Sequence, residues 1–334
     1  MSATPATVFE ERSAASGHDV QTAIIVNPRS FRLSTTSRPD RIEKLAHRAG
    51  MPVHIVHGPK EIKDTLGPGY IEKLDRLIVI GGDGTVQAVV SRLAEESPKQ
   101  IPKLLALGGG RTNFTARDLG THAGMDRWLE RALIEPESLH IALRSALVLE
   151  VPGQARPIYG FFMAGALVDH VIRDCHEYRA RHRDWFRTGH PSSAWRVIQL
   201  ALLGMLGRSD FRPPRSVIEA GPLGKLDQPL RIFVATSLAH ARGWLDPYAD
   251  RGNGEVRVTA ISHGARGFWL RLPGLLRGRF GQQLDATQGY LSGRTKKIVV
   301  RGLASVCVDG QEYQLDPSQT LTVRAGPQIP FLSS

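Results

Sequence analysis

Apolar positions in the first 140 residues come as short unbroken runs alternating with stretches of helical spacing. Residues 22–26 form a β-branched run that stops at Asn27-Pro28, which predicts a buried parallel strand ending in a turn. Residues 38–49 place Ile42, Leu45 and Ala46 at helical spacing before Gly50. A second strand is predicted at 53–56, a short helix at 71–74 and a third strand at 77–80, which runs into Gly81-Gly82-Asp83-Gly84-Thr85. Beyond it, Val86, Val89, Val90 and Leu93 are spaced i, i+3, i+4, i+7, the apolar stripe of a helix. A fourth strand at 103–107 leads to Gly108-Gly109-Gly110, and a helix follows at 125–133. This alternation predicts a doubly wound α/β sheet.

From about residue 141 the pattern changes. Runs at 145–151, 159–163, 229–237, 255–261, 297–300, 305–308 and 320–323 are short, β-rich and separated by Gly, Pro and polar residues. They predict a β-rich, sandwich-like unit. The exception, 168–206, reads as helical. The expected organisation is a polar tail at 1–20, an α/β unit at 21–142 onto which the final residues pack back, and a β-rich unit at 143–330 with a basic helical segment at 168–215. The 334 residues suffice for two cores.

Charge adds the next layer. The net charge is +11, and two segments carry all of it. Residues 173–215 hold nine Arg against four acids; residues 264–297 hold five Arg and two Lys against one acid. Both are rich in large apolar groups. Trp185, Phe186 and Trp195, beside Arg187 and Arg196, lie in the first; Phe268, Trp269, Leu270, Leu275, Leu276 and Phe280 lie in the second. Rings and aliphatics flanked by Arg suit an anionic membrane interface better than nucleic acid, because stacking on bases does not need a long aliphatic run. The longest apolar run, 197–206, is too short to span a bilayer, and 1–19 lacks the apolar core of a signal peptide. Two distant cysteines exclude a disulfide scaffold and a Cys-x-x-Cys zinc site, and fit a reducing compartment.

The sharpest chemical signal is the strand–Gly81-Gly82-Asp83-Gly84-Thr85–helix unit. Glycines admit close backbone approach by an anion, and a helix start attracts phosphate. An acid inside such a loop suits Mg²⁺ or a proton in transit. Walker A, GxGxxG, HExxH and Gly-x-Ser-x-Gly patterns are absent.

Asn27-Pro28-Arg29-Ser30, Gly81 to Thr85, Gly110-Arg111-Thr112-Asn113 and Ala116-Arg117-Asp118-Leu119-Gly120 together resemble the diacylglycerol kinase catalytic family of lipid kinases. Val308-Asp309-Gly310-Gln311 looks like that family's Asp-Gly-Glu segment. The resemblance implies a nucleotide-binding α/β domain before a β-rich one, and transfer of phosphate from ATP, with Mg²⁺, to a diacylglycerol-like or sphingoid hydroxyl. By position, Asn27, Gly81, Gly82, Gly84, Thr85, Gly110, Thr112 and Asn113 would bind nucleotide. Asp83 would organise metal or the attacking hydroxyl, and Asp309 would be the general base. The implied place of action is the inner face of the cytoplasmic membrane; a homodimer is left open. The chain departs from the pattern at Arg111, Phe114, Gln311, Asn253-Gly254 and His57-Gly58-Pro59. A small-molecule kinase resembling NAD kinases, and a catalytically weak lipid- or nucleotide-binding member of the fold, are the alternatives.

Overall fold

The computed structural model describes residues 21–33, parts of 40–49, and 50–173, 212–239, 245–281 and 283–333. Four strands open the chain: β1 (Thr22–Val26), β2 (Val53–Ile55), β3 (Arg76–Gly81) and β4 (Lys103–Gly108). They pair in parallel in the order β2-β1-β3-β4. The inner strands β1, β3 and β4 carry near-continuous apolar runs because both faces are covered, whereas the edge strand β2 is partly exposed. Ile24, Val26, Ile78, Ile80, Leu105 and Leu107 enter one core, with Trp128 and Leu129 of α5 (Met125–Ile134). The alternate residues Ala23, Ile25, Leu77, Val79 and Ala106 enter the other. That second core is roofed by α1 (Pro59–Thr65), α2 (Pro68–Ile71) and α3 (Asp83–Glu96). The short helix predicted at 71–74 therefore sits earlier, where Pro68 opens it. A five-residue helix, α4 (Phe114–Asp118), follows β4.

The later strands are mostly antiparallel: β5 (His140–Glu150), β6 (Ile158–Gly160), β7 (Phe162–Ala166), β8 (Arg215–Glu219), β9 (Lys225–Thr236), β10 (Val256–Ser262), β11 (Tyr290–Thr295), β12 (Lys297–Arg301), β13 (Ser305–Val308), β14 (Gln311–Gln314) and β15 (Leu321–Ser333). Helix α6 (Phe268–Leu275) sits between β10 and β11. A third core, with Leu149, Met163, Phe233, Val258, Leu291 and Val306, fills this region. The strand predicted at 159–163 is divided at Phe161. On one side β6 pairs with β5, and on the other β7 pairs with β9 and β13. The final strand β15 pairs with β5 and β12, and reaches β4 at Phe331↔Leu104. Among the described residues one hydrogen-bonded path thus joins the parallel and antiparallel strands.

Candidate functional site

The order β2-β1-β3-β4 reverses between β1 and β3, and in open α/β sheets the crevice outside such a switch point is where ligands bind. Asn27 follows β1, Gly82 follows β3, and the glycines 108–110 end β4, all at one sheet edge. These loops are nearly in contact. The Gly109 N–H donates to the Gly81 carbonyl at 2.7 Å, and a β-carbon on Gly110 would lie 2.7 Å from Gly82 Cα. Larger residues at this crossing would push the two loops apart.

Side chains tie the loops together. Asn27 Nδ2 donates to Thr85 Oγ1 at 3.0 Å. Ser30 Oγ accepts from the Gly82 N–H at 3.2 Å. Asn113, in the left-handed region at φ 50°, closes the 110–113 turn with both ends of its amide: Oδ1 accepts from Gly110 N at 2.8 Å and Nδ2 donates to Gly110 O at 2.9 Å. Its side chain is thus engaged in holding the loop. Helix α3 starts at Asp83 with no side-chain cap, leaving its positive end facing the crevice. Asp83 is buried; it accepts from Thr112 Oγ1 at 2.7 Å and from Thr115 N at 3.2 Å.

Asp309 arrives from the other end of the chain, past β13. It too is left-handed, at φ 47°, a region Asp tolerates when its surroundings hold it. The hold is threefold. Its own N–H donates to Phe162 O at 3.0 Å, while its carboxylate accepts from Phe161 N at 2.8 Å and Phe162 N at 2.9 Å. The break between β6 and β7 frees these two N–H groups for the carboxylate. A β-carbon on Gly160 would overlap Val308 and sit 2.8 Å from Asp309 Oδ2, so that position admits only glycine. Burial first, and the nearby Asp83 charge second, push the Asp309 carboxyl up to about 8; the two backbone N–H donors pull the other way.

The predicted site residues Asn27, Gly81, Gly82, Asp83, Gly84, Thr85, Gly110, Thr112, Asn113 and Asp309 gather at this one crevice. Gly84 faces the Asp309 turn, where its β-carbon would be 3.8 Å from Asp309 O. The departures are accommodated. Phe114 stacks on Phe162 at 5.0 Å, linking the two sheet regions, and the Arg111 guanidinium lies 4.0 Å over the Phe31 ring. Ser30 stands in the Asn27-Pro28-Arg29-Ser30 motif without an assigned role there, and Gly160, Gln87 and Tyr313 are not singled out by the sequence. Gln87 is a polar residue one turn on from Asp83, beside the apolar stripe of α3, and is buried.

The membrane-contact residues Trp185, Phe186, Arg187, Trp195 and Arg196, and the basic helical segment around them, lie outside the described residues. In the second basic segment the expectation of an apolar interface needs correction. Phe268 and Leu275 are buried in a small core of their own, with Trp269, Leu272 and Phe280 packed against it. Leu270 alone among those expected residues stands clear, at 91% exposure. Among the described helices none is long and apolar enough to cross a membrane.

Residues 21–143 match the family model of the diacylglycerol kinase catalytic domain. The fold is shared more widely along the chain. A candidate diacylglycerol kinase from Bacillus anthracis str. Sterne superposes with a TM-score of 0.62 at 16% identity, covering 94% of this chain and 97% of that one. A diacylglycerol kinase structure from the same organism gives 0.54 at 14% identity, with the same coverage. At such identities the likeness speaks for the fold. No curated protein matches the chain.

Proposed function

We propose that the chain is an ATP-dependent lipid kinase that transfers the terminal phosphoryl group of ATP to a lipid hydroxyl, diacylglycerol-like or sphingoid, at a membrane surface. The observation that carries this reading is the meeting of Asp309 and Asp83 at a glycine crevice on an α/β switch point. Phosphoryl transfer asks the protein mainly for positioning and charge neutralisation. The glycine turns and the start of α3 suit the phosphates. Asp309, with its carboxyl near 8, suits the proton: as the lipid oxygen bonds to phosphorus and the bond to the ADP oxygen breaks, the hydroxyl proton passes to Asp309.

Asp83, a buried carboxylate at the start of α3, is a hard-oxygen donor of the kind that fits Mg²⁺. Among the described residues there is no cluster of three His, Cys, Asp or Glu, so water and phosphate would complete the coordination of an ion held by Asp83. Such an ion, when bound with ATP, would neutralise phosphate charge.

The test is purified protein with ATP, Mg²⁺ and a panel of diacylglycerol, monoacylglycerol and sphingoid lipids, with NAD as a competing acceptor. A phosphorylated lipid is expected, with loss of about 10²-fold or more in Asp309→Asn and Asp83→Asn. Because the base works as its carboxylate, kcat/KM should fall as pH drops below about 8. Phosphorylated NAD instead of lipid, or full turnover in both variants, would refute the reading.

A further inference from the structure

A chain of hydrogen bonds with only one possible direction ends at the crevice. It begins at the Tyr159 backbone carbonyl, which can only accept. Gln87, 2% exposed, meets that carbonyl through Nε2 at 2.9 Å, so the orientation of its amide is dictated. The Gln87 Oε1 on the other side is buried with no hydrogen-bond partner. That orphan is the mark of an orientation imposed from outside. The same Nε2 reaches the Tyr313 hydroxyl at 3.2 Å, where it again must donate. Having accepted, Tyr313 OH gives its proton to Gln311 Oε1 at 3.1 Å. Burial pushes the Tyr313 phenol above its ordinary range, so it keeps that proton. With Oε1 committed, Gln311 presents its NH₂ to the first turn of α3: Nε2 lies 3.7 Å from where a β-carbon on Gly84 would sit.

We propose that Gln311 is a neutral donor to the terminal phosphate of the bound nucleotide, aimed by Gln87 and Tyr313 as positioning residues. This rests on the kinase reading above and adds to it the group that meets the phosphate on the Asp309 side. The chemistry favours an amide there. A carboxylate at 311 would add negative charge close to Asp83 and Asp309 and repel the phosphate; an amide donates without charge. In this chain Tyr313 and Gln87 together fix the two ends of the amide at 311. A glutamine has no preference between its two ends, and something must fix which end faces the ligand.

The probes are the non-hydrolysable nucleotide AMP-PNP and AMP, which lacks the terminal phosphates, titrated calorimetrically with Mg²⁺ and without lipid. In Gln311→Ala the affinity for AMP-PNP should fall about tenfold or more, the scale of a lost hydrogen bond to a charged group, while that for AMP stays within about twofold. Gln311→Glu should fall further for AMP-PNP. Tyr313→Phe, which keeps the ring and removes only the relay, should show the same selectivity with a smaller loss. Parallel losses for both nucleotides, or unchanged AMP-PNP affinity in Gln311→Ala, would overturn the assignment of Gln311 and leave the kinase reading standing. A native chain that binds neither nucleotide would overturn both.

Discussion

At Asp309 chemistry and stability concern the same proton. The unfolded chain releases it near the ordinary aspartate value of 3.8, and the folded chain holds it to about 8. Between those values the native state binds more protons than the unfolded state. Stability therefore decreases as pH rises through that window, and levels off above about 8. Asp309→Asn removes the titration and turns one N–H acceptor into a donor facing Phe161 or Phe162, so a pH-independent hydrogen-bond cost of about 1–3 kcal/mol is added to the loss of the pH-dependent contribution. The expected signature is thus a trend. The Tm of the variant relative to the native chain should rise as the pH of the measurement goes from 5 to 8. A pH-independent difference would show that Asp309 ionises normally in the fold. The carboxylate was legible in the sequence because a Val-Asp-Gly-Gln segment resembled a known one. Its surroundings were not. Nothing in Tyr159-Gly160-Phe161 says that the strand changes partners there, since that depends on which strands, distant in sequence, lie alongside.

Among the elements, local pattern predicted type well where an element is contained in one environment. The run at 305–308 is β13, and the stripe from Val86 to Leu93 is the buried face of α3. It failed on extent where tertiary pairing overrides local signals. Only 320–323 read as strand, yet β15 continues to Ser333, absorbing Gly326-Pro327 in a register shift between Ala325 and Gln328. Helix α6 shows a different limit, because composition cannot say which apolar groups face out. Its sequence suggested a whole interfacial patch. Phe268 and Leu275 instead anchor it, with Arg231 4.5 Å over the Phe268 ring, and leave Leu270 amid the exposed Arg266, Arg271, Arg277 and Arg279. A single protruding leucine in an acid-free basic stretch suits shallow insertion between anionic headgroups. Leu270→Glu should reduce sedimentation with phosphatidylglycerol vesicles roughly tenfold while leaving Tm unchanged, given the size of one leucine's transfer energy. Equal binding of the native chain to phosphatidylcholine vesicles would count against this role for α6.

For the whole molecule, the sequence suggests two units, while the sheet is continuous between them. Strand β15 is the reason. Its Leu321 and Val323 enter the core of the antiparallel region, Ile329 and Phe331 enter one core of the parallel sheet, and Leu332 enters the other. Phe331 is fully buried and packs edge-on to Phe161 at 5.7 Å, and Phe161 is the residue whose N–H holds Asp309. The same strand that joins the cores therefore supports the floor of the crevice. Phe331→Ala removes a buried ring at this junction and should cost about 3–5 kcal/mol. If β15 makes the cores one cooperative system, the loss is shared: amide hydrogen exchange should accelerate together in β3 and β10, by the same factor, under conditions where exchange follows global opening. Acceleration confined to β3 and its neighbours would mean that the parallel sheet opens alone and that the antiparallel region is stable without it. The two carboxylates of the crevice come from either side of that boundary, so the answer decides whether an opening of one region can separate Asp83 from Asp309 while the other remains folded.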